Sequence, residues 1–216
     1  MDQGILTTLE EQVKPEHTAL LVIDPQNDFC SPHGALPKLM GWDVSRMQEA
    51  AQRLDKFISR ARDRGVMIVW TRSIIDTVMS RPSFRARKFV TEAVSRSIEL
   101  VKWDTSGSEW YSGMTRPLEN EHVITKHHYD AFSDTSLDLL LTGRRIKTIL
   151  LTGFTTNVCV ETTARHGYIK GYYVVVLSDC TDAPTQQEYD ATLLNIRTYF
   201  GRVATSDKII GLWSKM

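Results

Sequence analysis

Short apolar runs that alternate with amphipathic helical segments constrain the fold of this chain more than any other feature of its sequence. Residues 17–23 (HTALLVI) and 66–70 (VMIVW) are apolar runs of strand length. Between them, residues 43–64 carry apolar side chains at spacings of three and four, which is typical of an amphipathic helix that ends at Gly65. A strand, a helix and a second strand in this order favour a right-handed crossover between parallel strands.

The same alternation continues to the end of the chain. It predicts strands at residues 122–125, 147–152, 172–177 and 202–205, and helices at 137–141 (capped by Ser133 or Asp134), 158–170 and 187–200. Residues 73–116 have weaker periodicity, and we expect helices and loops that overhang the sheet there. The sequence therefore predicts an α/β fold with three layers, α/β/α, around a central, mainly parallel sheet of about six strands. No linker divides the chain, so residues 1–216 are predicted to be a single domain.

Charge and cysteine content exclude several classes of protein. Lys and Arg total 26, as do Asp and Glu, so no net positive field attracts nucleic acid or an anionic membrane. The apolar runs are far shorter than the roughly 20 residues of a bilayer span. Residues 1–18 carry acidic residues and no apolar core with a cleavage site, so we expect no signal segment there. Three cysteines favour free thiols in a reducing compartment. We expect a soluble, cytoplasmic protein with no nucleic-acid or membrane partner.

Three polar residues follow predicted strands, where ligands bind in parallel α/β sheets. Asp24 ends the first strand, Lys126 ends the strand at 122–125, and Cys159 lies in the turn before a helix. A thiol at a helix N-terminus meets unpaired N–H groups, and a nearby Lys126 adds positive charge, so we expect a stabilised thiolate. Asp24 ends a fully apolar strand, so we expect its carboxylate to be partly desolvated and suited to act as a general base.

Each of the three residues also has a purely structural interpretation. A free cysteine is commonly an inert core residue, an aspartate after a strand can cap a helix or pair with arginine, and a lysine is commonly solvated. Cys30 and Cys180 lack comparable neighbours, and we expect both to be packing residues. Only the combination of Asp24, Lys126 and Cys159 points to chemistry.

Metal and phosphate sites have little support in the sequence. His127 and His128 are adjacent, so on a strand they point to opposite faces, and no HxH, HExxH or CxxC pattern occurs. GFTTNVCV lacks the glycine spacing of a phosphate loop. We predict neither a metal nor another cofactor. The basic segment 81–88 (RPSFRARK) fits a solvated face or, alternatively, an anion-recruiting lid.

Three segments resemble the isochorismatase-like cysteine hydrolase superfamily. They are residues 19–29 (ALLVIDPQNDF), 123–141 (VITKHHYDAFSDTSLDLLL) and 148–183 (TILLTGFTTNVCVETTARHGYIKGYYVVVLSDCTDA). The resemblance implies that Asp24, Lys126 and Cys159 are the catalytic residues of an amidohydrolase that forms a thioester. It also implies a cis peptide between Phe154 and Thr155, with the N–H groups of Thr155 and Cys159 forming an oxyanion hole.

Departures from related families narrow the activity that the resemblance implies. Nicotinamidases carry an Asp and histidines as metal ligands after the second strand, but residues 70–80 (WTRSIIDTVMS) contain no histidine. Isochorismatases that cleave a vinyl ether generally lack the nucleophilic cysteine, which Cys159 matches here. C–N hydrolysis is therefore favoured over two alternatives, a catalytically inactive binding protein of this fold and an isochorismate-type vinyl-ether hydrolase.

The resemblance also bears on substrate and assembly. The block around Cys159 and residues 195–203 (NIRTYFGRV) are similar to hydrolases of ureido and carbamoyl compounds, and biuret hydrolases usually carry Gln where this chain has Tyr199. A carboxylate on a small-molecule amide or ureido substrate could pair with Arg72 or with the group Arg85, Arg87 and Lys88. Aromatic candidates for pocket walls, which core packing explains equally well, are Phe29, Trp103 and Trp110. Relatives are commonly dimers or tetramers, so we expect a homodimer or homotetramer.

Overall fold

A single parallel sheet forms the centre of the molecule. A computed structural model describes residues 4–76 and 78–216. Within these residues the strands are Thr18–Ile23 (β1), Met67–Ser73 (β2), His122–Lys126 (β3), Thr148–Phe154 (β4), Tyr173–Asp182 (β5) and Arg202–Ala204 (β6). All the pairings are parallel, in the order β3-β2-β1-β4-β5-β6. The sheet that the sequence predicts is therefore confirmed.

Helices connect the strands and cover both faces of the sheet. The α-helices of the described residues are Leu9–Gln12 (α1), Asn27–Cys30 (α2), Ala35–Met40 (α3), Ser45–Asp63 (α4), Pro82–Arg85 (α5), Lys88–Ser95 (α6), Leu137–Gly143 (α7), Glu161–Ile169 (α8), Gln186–Asn195 (α9) and Ser206–Trp213 (α10). A 3₁₀ turn covers Pro15–His17, and π-helical turns cover Thr156–Val160 and Ile196–Phe200. No helix in the described part of the chain is long and apolar enough to cross a membrane.

Two hydrophobic cores lie on opposite faces of the sheet. Every residue of β1 is buried, and its side chains alternate between the faces. Leu20 and Val22 belong to the core that contains buried residues of α4 and α10, whereas Leu21 and Ile23 belong to the core beneath α7, α8 and α9. A strand buried on both faces needs helices on each side, which confirms the three-layer architecture.

Several local predictions differ from the structure. β5 continues to Asp182 and includes Cys180. The helices α1, α2, α3 and α10 have no counterpart in the prediction. Neither Ser133 nor Asp134 caps α7, whose N-cap residue is Ser136. Both side chains are already engaged, because the Ser133 hydroxyl donates to Asp130 Oδ2 (2.6 Å) and Asp134 Oδ2 accepts from the guanidinium of Arg81 (2.8 Å).

Candidate active site

The strand order places the candidate residues at one edge of the sheet. From β1 the chain builds outward through β2 and β3, and it then returns to the other side of β1 with β4. The connections from β1 and β4 leave in opposite directions at this switch point, which opens a crevice at the carboxyl ends of the strands. Asp24 follows β1, Lys126 ends β3, and Cys159 lies in the turn after β4.

Asp24 is held in place by a neighbouring strand. Its side chain is fully buried, and its Oδ1 accepts a hydrogen bond of 2.6 Å from the hydroxyl of Thr71 on β2. The Asp24 N–H donates to the same hydroxyl oxygen (3.1 Å). Asp24 has a φ of 46°, a conformation that is uncommon outside glycine. Sequence reasoning missed Thr71, because its role depends on the register between β1 and β2.

Lys126 connects the two other candidates. Its side chain is buried, and its Nζ lies 2.7 Å from Asp24 Oδ2 and 3.5 Å from Cys159 Sγ. The ammonium also donates to the carbonyl oxygen of His128 (2.9 Å). Burial is the largest single influence on the Lys126 amine and lowers its pKa, but the interactions with Asp24 and Cys159 together outweigh burial and raise the pKa above its usual value. Lys126 is therefore a buried ammonium between a carboxylate and a sulfur.

Cys159 lies on the π-helical turn Thr156–Val160 rather than on a regular α-helix. The peptide bond between Phe154 and Thr155, just before this turn, is cis, as the resemblance implied. The hydroxyl of Thr156 lies 2.7 Å from the hydroxyl of Thr181 on β5, which in turn donates to the Gly153 carbonyl oxygen (2.6 Å). These bonds fix the turn against β4 and β5.

The pKa of the Cys159 thiol shifts in the direction opposite to that expected of a stabilised thiolate. Burial is the largest influence, and together with the negative charge of Asp24 it raises the pKa to about 12, although the positive charge of Lys126 opposes the shift. Only 4% of the residue is exposed, so the penalty for burying a thiolate exceeds the help from one ammonium. A base must therefore remove the proton before the sulfur can act as a nucleophile.

An open cavity of about 480 Å³ lies in front of the sulfur. Thr155, Asn157 and Cys159 form part of its lining, and aromatic and aliphatic side chains make up much of the rest. Its charged lining residues are Asp43, Arg87 and Glu188, and His127 and His128 also face it. The cavity is therefore a mostly apolar pocket with the thiol of Cys159 in its wall, and such a pocket is typical of small-molecule sites.

Of the substrate contacts that the sequence suggested, Phe29 lines this cavity, whereas Arg72, Trp103, Trp110 and Tyr199 are not among its described lining residues. The guanidinium of Arg72 stacks on Trp110 (4.5 Å to the ring centroid) and lies 5.7 Å from the ring of Trp103. Trp110 is a core residue in edge contact with Trp70. Tyr199 is 66% exposed on the π-helical turn Ile196–Phe200.

The basic segment 81–88 contributes to the cavity through one residue. Arg87 lines it, whereas Arg85 and Lys88 lie outside the described lining, and all three residues are exposed. The segment carries both α5 and the start of α6, so its basic residues point in different directions around two short helices. Sequence alone did not distinguish Arg87 from its neighbours, because the periodicity of this segment is weak.

The residues after Asp24 mainly form hydrogen bonds to the backbone of segments that are distant in the sequence. Gln26 donates to the carbonyl oxygens of Ser73 (3.0 Å) and Ser108 (2.9 Å), and it accepts from the Ser73 N–H. Asp28 accepts from the N–H groups of Ala35 and Val101, both at 2.7 Å. This motif therefore ties the irregular part of residues 73–116 to the end of β1 and helps to build the cavity.

Residues 4–76 and 78–216 contain no group of three or more His, Cys, Asp or Glu side chains arranged to hold a metal ion. The side chains of His127 and His128 are instead hydrogen bonded. Nδ1 of His127 donates to the Ile74 carbonyl oxygen (2.9 Å), and Nε2 of His128 lies 3.0 Å from Asp134 Oδ2. Both histidines are thus oriented by protein groups.

Comparisons with known proteins agree with the resemblance. A model of the Isochorismatase domain matches residues 18–208. Ureidoacrylate amidohydrolase RutB from Enterobacter sp. (strain 638) is 34% identical over 201 residues, which are 88% of this chain and 86% of that protein. The RutB of Acinetobacter baylyi (strain ATCC 33305 / BD413 / ADP1) is 30% identical over 209 residues, or 92% and 84% of the two chains. A solved cysteine hydrolase from Pseudomonas syringae pv. phaseolicola 1448A has a TM-score of 0.82 at 26% identity and covers 100% of this chain and 99% of its own.

Proposed function

The chain belongs to the isochorismatase family, and on that premise we propose that it is a metal-independent cysteine amidohydrolase. It cleaves a C–N bond of a small linear amide, ureido or carbamoyl compound through a thioester and releases ammonia or an amine. The observation that carries the proposal is the contact of Lys126 Nζ with both Asp24 Oδ2 (2.7 Å) and Cys159 Sγ (3.5 Å) beside an open cavity. The lack of histidine in residues 70–80 supports metal independence.

The first half of the reaction forms the thioester. Asp24 accepts the proton of the Cys159 thiol, and the sulfur attacks the substrate carbonyl carbon. The carbonyl oxygen becomes an oxyanion, which the N–H groups of Thr155 and Cys159 stabilise by about 3 kcal/mol per donor. As the intermediate collapses, the C–N bond breaks and the leaving nitrogen takes the proton from Asp24. Lys126 balances the charge that moves between carboxylate and sulfur.

The second half restores the enzyme. Asp24, again a carboxylate, removes a proton from water, and the resulting hydroxide attacks the thioester carbon. The second intermediate expels the Cys159 sulfur, which recovers its proton, and the acid product leaves. Because burial raises the pKa of the Cys159 thiol, we infer that proton transfer to Asp24 accompanies the attack of the sulfur on the carbonyl carbon.

A ureido or carbamoyl compound with a carboxylate is the substrate class we propose. The names of the RutB relatives support the ureido group, since those proteins are called ureidoacrylate amidohydrolases. Arg87 lines the cavity and is the arginine that can pair with a carboxylate there, in place of Arg72. Arg72 stays in its stack with Trp110.

Replacement of the sulfur tests the proposal. Cys159→Ala should lower ammonia release from linear amides, ureido acids and carbamoyl amino acids by at least about 1,000-fold, because no thioester can form. Cys30→Ala, which removes a buried cysteine outside the cavity lining, is the matched control and should retain activity. Isochorismate cleavage that is unchanged in Cys159→Ala would favour a vinyl-ether hydrolase, and ligand binding without turnover would favour an inactive binding protein.

A further inference from the structure

The candidate cavity is larger and more apolar than a short ureido acid needs. Its volume of about 480 Å³ falls within the range of roughly 300 to 1,000 Å³ that takes drug-sized ligands. We propose that the substrate carries, besides its scissile ureido or carbamoyl group and a carboxylate, an apolar group the size of an aromatic ring. This inference rests on the proposed function, because it takes Cys159 as the reacting centre.

Three aromatic side chains form one continuous wall of the cavity. Phe84 contacts Phe89 edge to face, with 6.0 Å between ring centroids, and it contacts Tyr129 in the same way at 5.6 Å. All three side chains line the cavity and are only partly buried. We call them the aromatic wall. An apolar ligand that covers the exposed part of these rings removes apolar surface from water, and this burial favours binding.

The aromatic wall is fixed close to the reacting atoms. Tyr129 follows His128, whose carbonyl oxygen accepts a hydrogen bond from Lys126 Nζ (2.9 Å). The same Nζ lies 3.5 Å from the sulfur of Cys159. Tyr129 and Cys159 also line the same cavity, so a group bonded to the scissile amide can contact Tyr129 while its carbonyl carbon lies at the sulfur. If a bound substrate left this part of the cavity filled with water, the rings would stay hydrated and would contribute nothing to binding.

A second apolar surface lines the cavity from a different part of the fold. Phe29 and Leu36 come from α2 and α3, and Met40 and Trp42 follow within a few residues. Met40 is 46% exposed, and its flexible side chain can adjust to ligands of different shape. The cavity thus offers apolar contacts from two separate segments of the chain, which suits a ring rather than a short polar chain.

Arg87 completes the recognition pattern. It lies in the chain between Phe84 and Phe89, and it is the only Lys or Arg among the described residues that line the cavity. It forms no ion pair with any described residue, so its guanidinium is available for a ligand carboxylate. An N-carbamoyl amino acid with an aromatic side chain presents a ring, a carboxylate and a carbamoyl group together.

A series that varies only the apolar group tests this inference. N-carbamoylglycine, N-carbamoylleucine and N-carbamoylphenylalanine share the carboxylate and the scissile group. Their affinity for Cys159→Ala, measured by calorimetry, and kcat/KM of the wild type should both rise by at least about tenfold from the glycine to the phenylalanine compound. In a Cys159→Ala background, Phe84→Ala should remove most of this gain. Tyr168→Ala, which changes an exposed aromatic residue outside the described lining, should retain it.

The two measurements separate this inference from the proposed function. Cys159-dependent hydrolysis of all three compounds with equal or falling affinity would overturn the apolar subsite and leave the amidohydrolase proposal standing. Affinity that rises with size, without Cys159-dependent hydrolysis, would support the subsite and contradict the amidohydrolase. A gain that survives Phe84→Ala would overturn the role of the aromatic wall.

Discussion

At the scale of single residues, the chemistry of the site depends on one buried cation. Lys126 is in contact with Asp24 and Cys159, and all three side chains are almost inaccessible to water. A carboxylate and a thiolate cannot be buried side by side without a compensating charge, because both lose their hydration. In the proposed reaction the ammonium compensates the one negative charge of the site, both when that charge lies on the Asp24 carboxylate and when proton transfer places it on the sulfur.

Asp24 raises the pKa of the Cys159 thiol, and the rate at which the thiol is alkylated tests this effect, whereas a loss of hydrolysis alone would not. In Asp24→Asn, loss of the negative charge should lower the pKa of Cys159, because burial and Asp24 raise it whereas Lys126 lowers it. More thiolate is then present at any pH below the wild-type value. We expect iodoacetamide to modify Cys159 at pH 8 roughly tenfold faster than in the wild type, while amide hydrolysis is lost.

Mass spectrometry of the alkylated peptide measures this rate, and Cys159→Ala reports any background from Cys30 and Cys180. Alkylation in Asp24→Asn that is no faster than in the wild type would show that the Asp24 carboxylate does not act on the sulfur. It would also remove Asp24 as the base of the proposed reaction.

At the scale of elements, the site depends on how closely β1 and β4 approach at their carboxyl ends. Gly153 pairs with Ile23 and has a φ of 96°, and a Cβ at this position would lie 2.0 Å from the Ile23 carbonyl oxygen. Only glycine fits there, since both the conformation and the space exclude a side chain. This contact fixes the spacing between Asp24 and the turn that carries Cys159.

Gly153→Ala should therefore destabilise the protein by about 3 kcal/mol, because left-handed strain adds to the steric overlap. Gly143→Ala is the matched control. It changes a glycine at the end of α7 that has no neighbour within 4 Å of a new Cβ, and it should leave stability unchanged or raise it by up to about 1 kcal/mol. Urea unfolding measures both free energies. Equal stability of the two variants would contradict the close packing of β1 on β4.

At the scale of the whole molecule, the cavity is assembled from segments that are distant in sequence. Its lining residues come from α2 and α3, from the segment 73–116, from the turn after β4 and from the start of α9. Two hydrogen bonds hold the segment 73–116 against the end of β1. Gln26 donates to the Ser108 carbonyl oxygen, and Asp28 accepts from the Val101 N–H. The shape of the cavity is thus a property of the complete domain.

Self-association is the prediction that belongs to this scale. We expect a homodimer or homotetramer, on the basis of the family resemblance. Light scattering at micromolar protein should then give a mass that is two or four times 24.6 kDa. A single species of 24.6 kDa would contradict this expectation. The cytoplasmic location likewise stays a prediction, which fractionation of cells that express the protein can test.

Local sequence patterns were sufficient to predict the order and type of the main elements. Strand and helix periodicity are local properties, so residues 17–23 and 43–64 carried enough information to predict β1 and α4 within two residues at each end. Because parallel strands end at the same edge of a sheet, the order of elements also predicted that Asp24, Lys126 and Cys159 would lie at that edge. α10 was missed because no pattern in its short segment was recognised.

The interactions of these residues follow from tertiary contacts that no local pattern predicts. The hydrogen bond of Thr71 to Asp24 depends on strand register, and the raised pKa of Cys159 depends on burial. Arg87 lines the cavity and Arg72 does not belong to its described lining, because of how the segment 73–116 folds back. Each of these properties arises between segments many residues apart, whereas helical and strand patterns arise between neighbours. Desolvation and charge pairing depend on the full set of surrounding atoms, which exists only once the chain has folded.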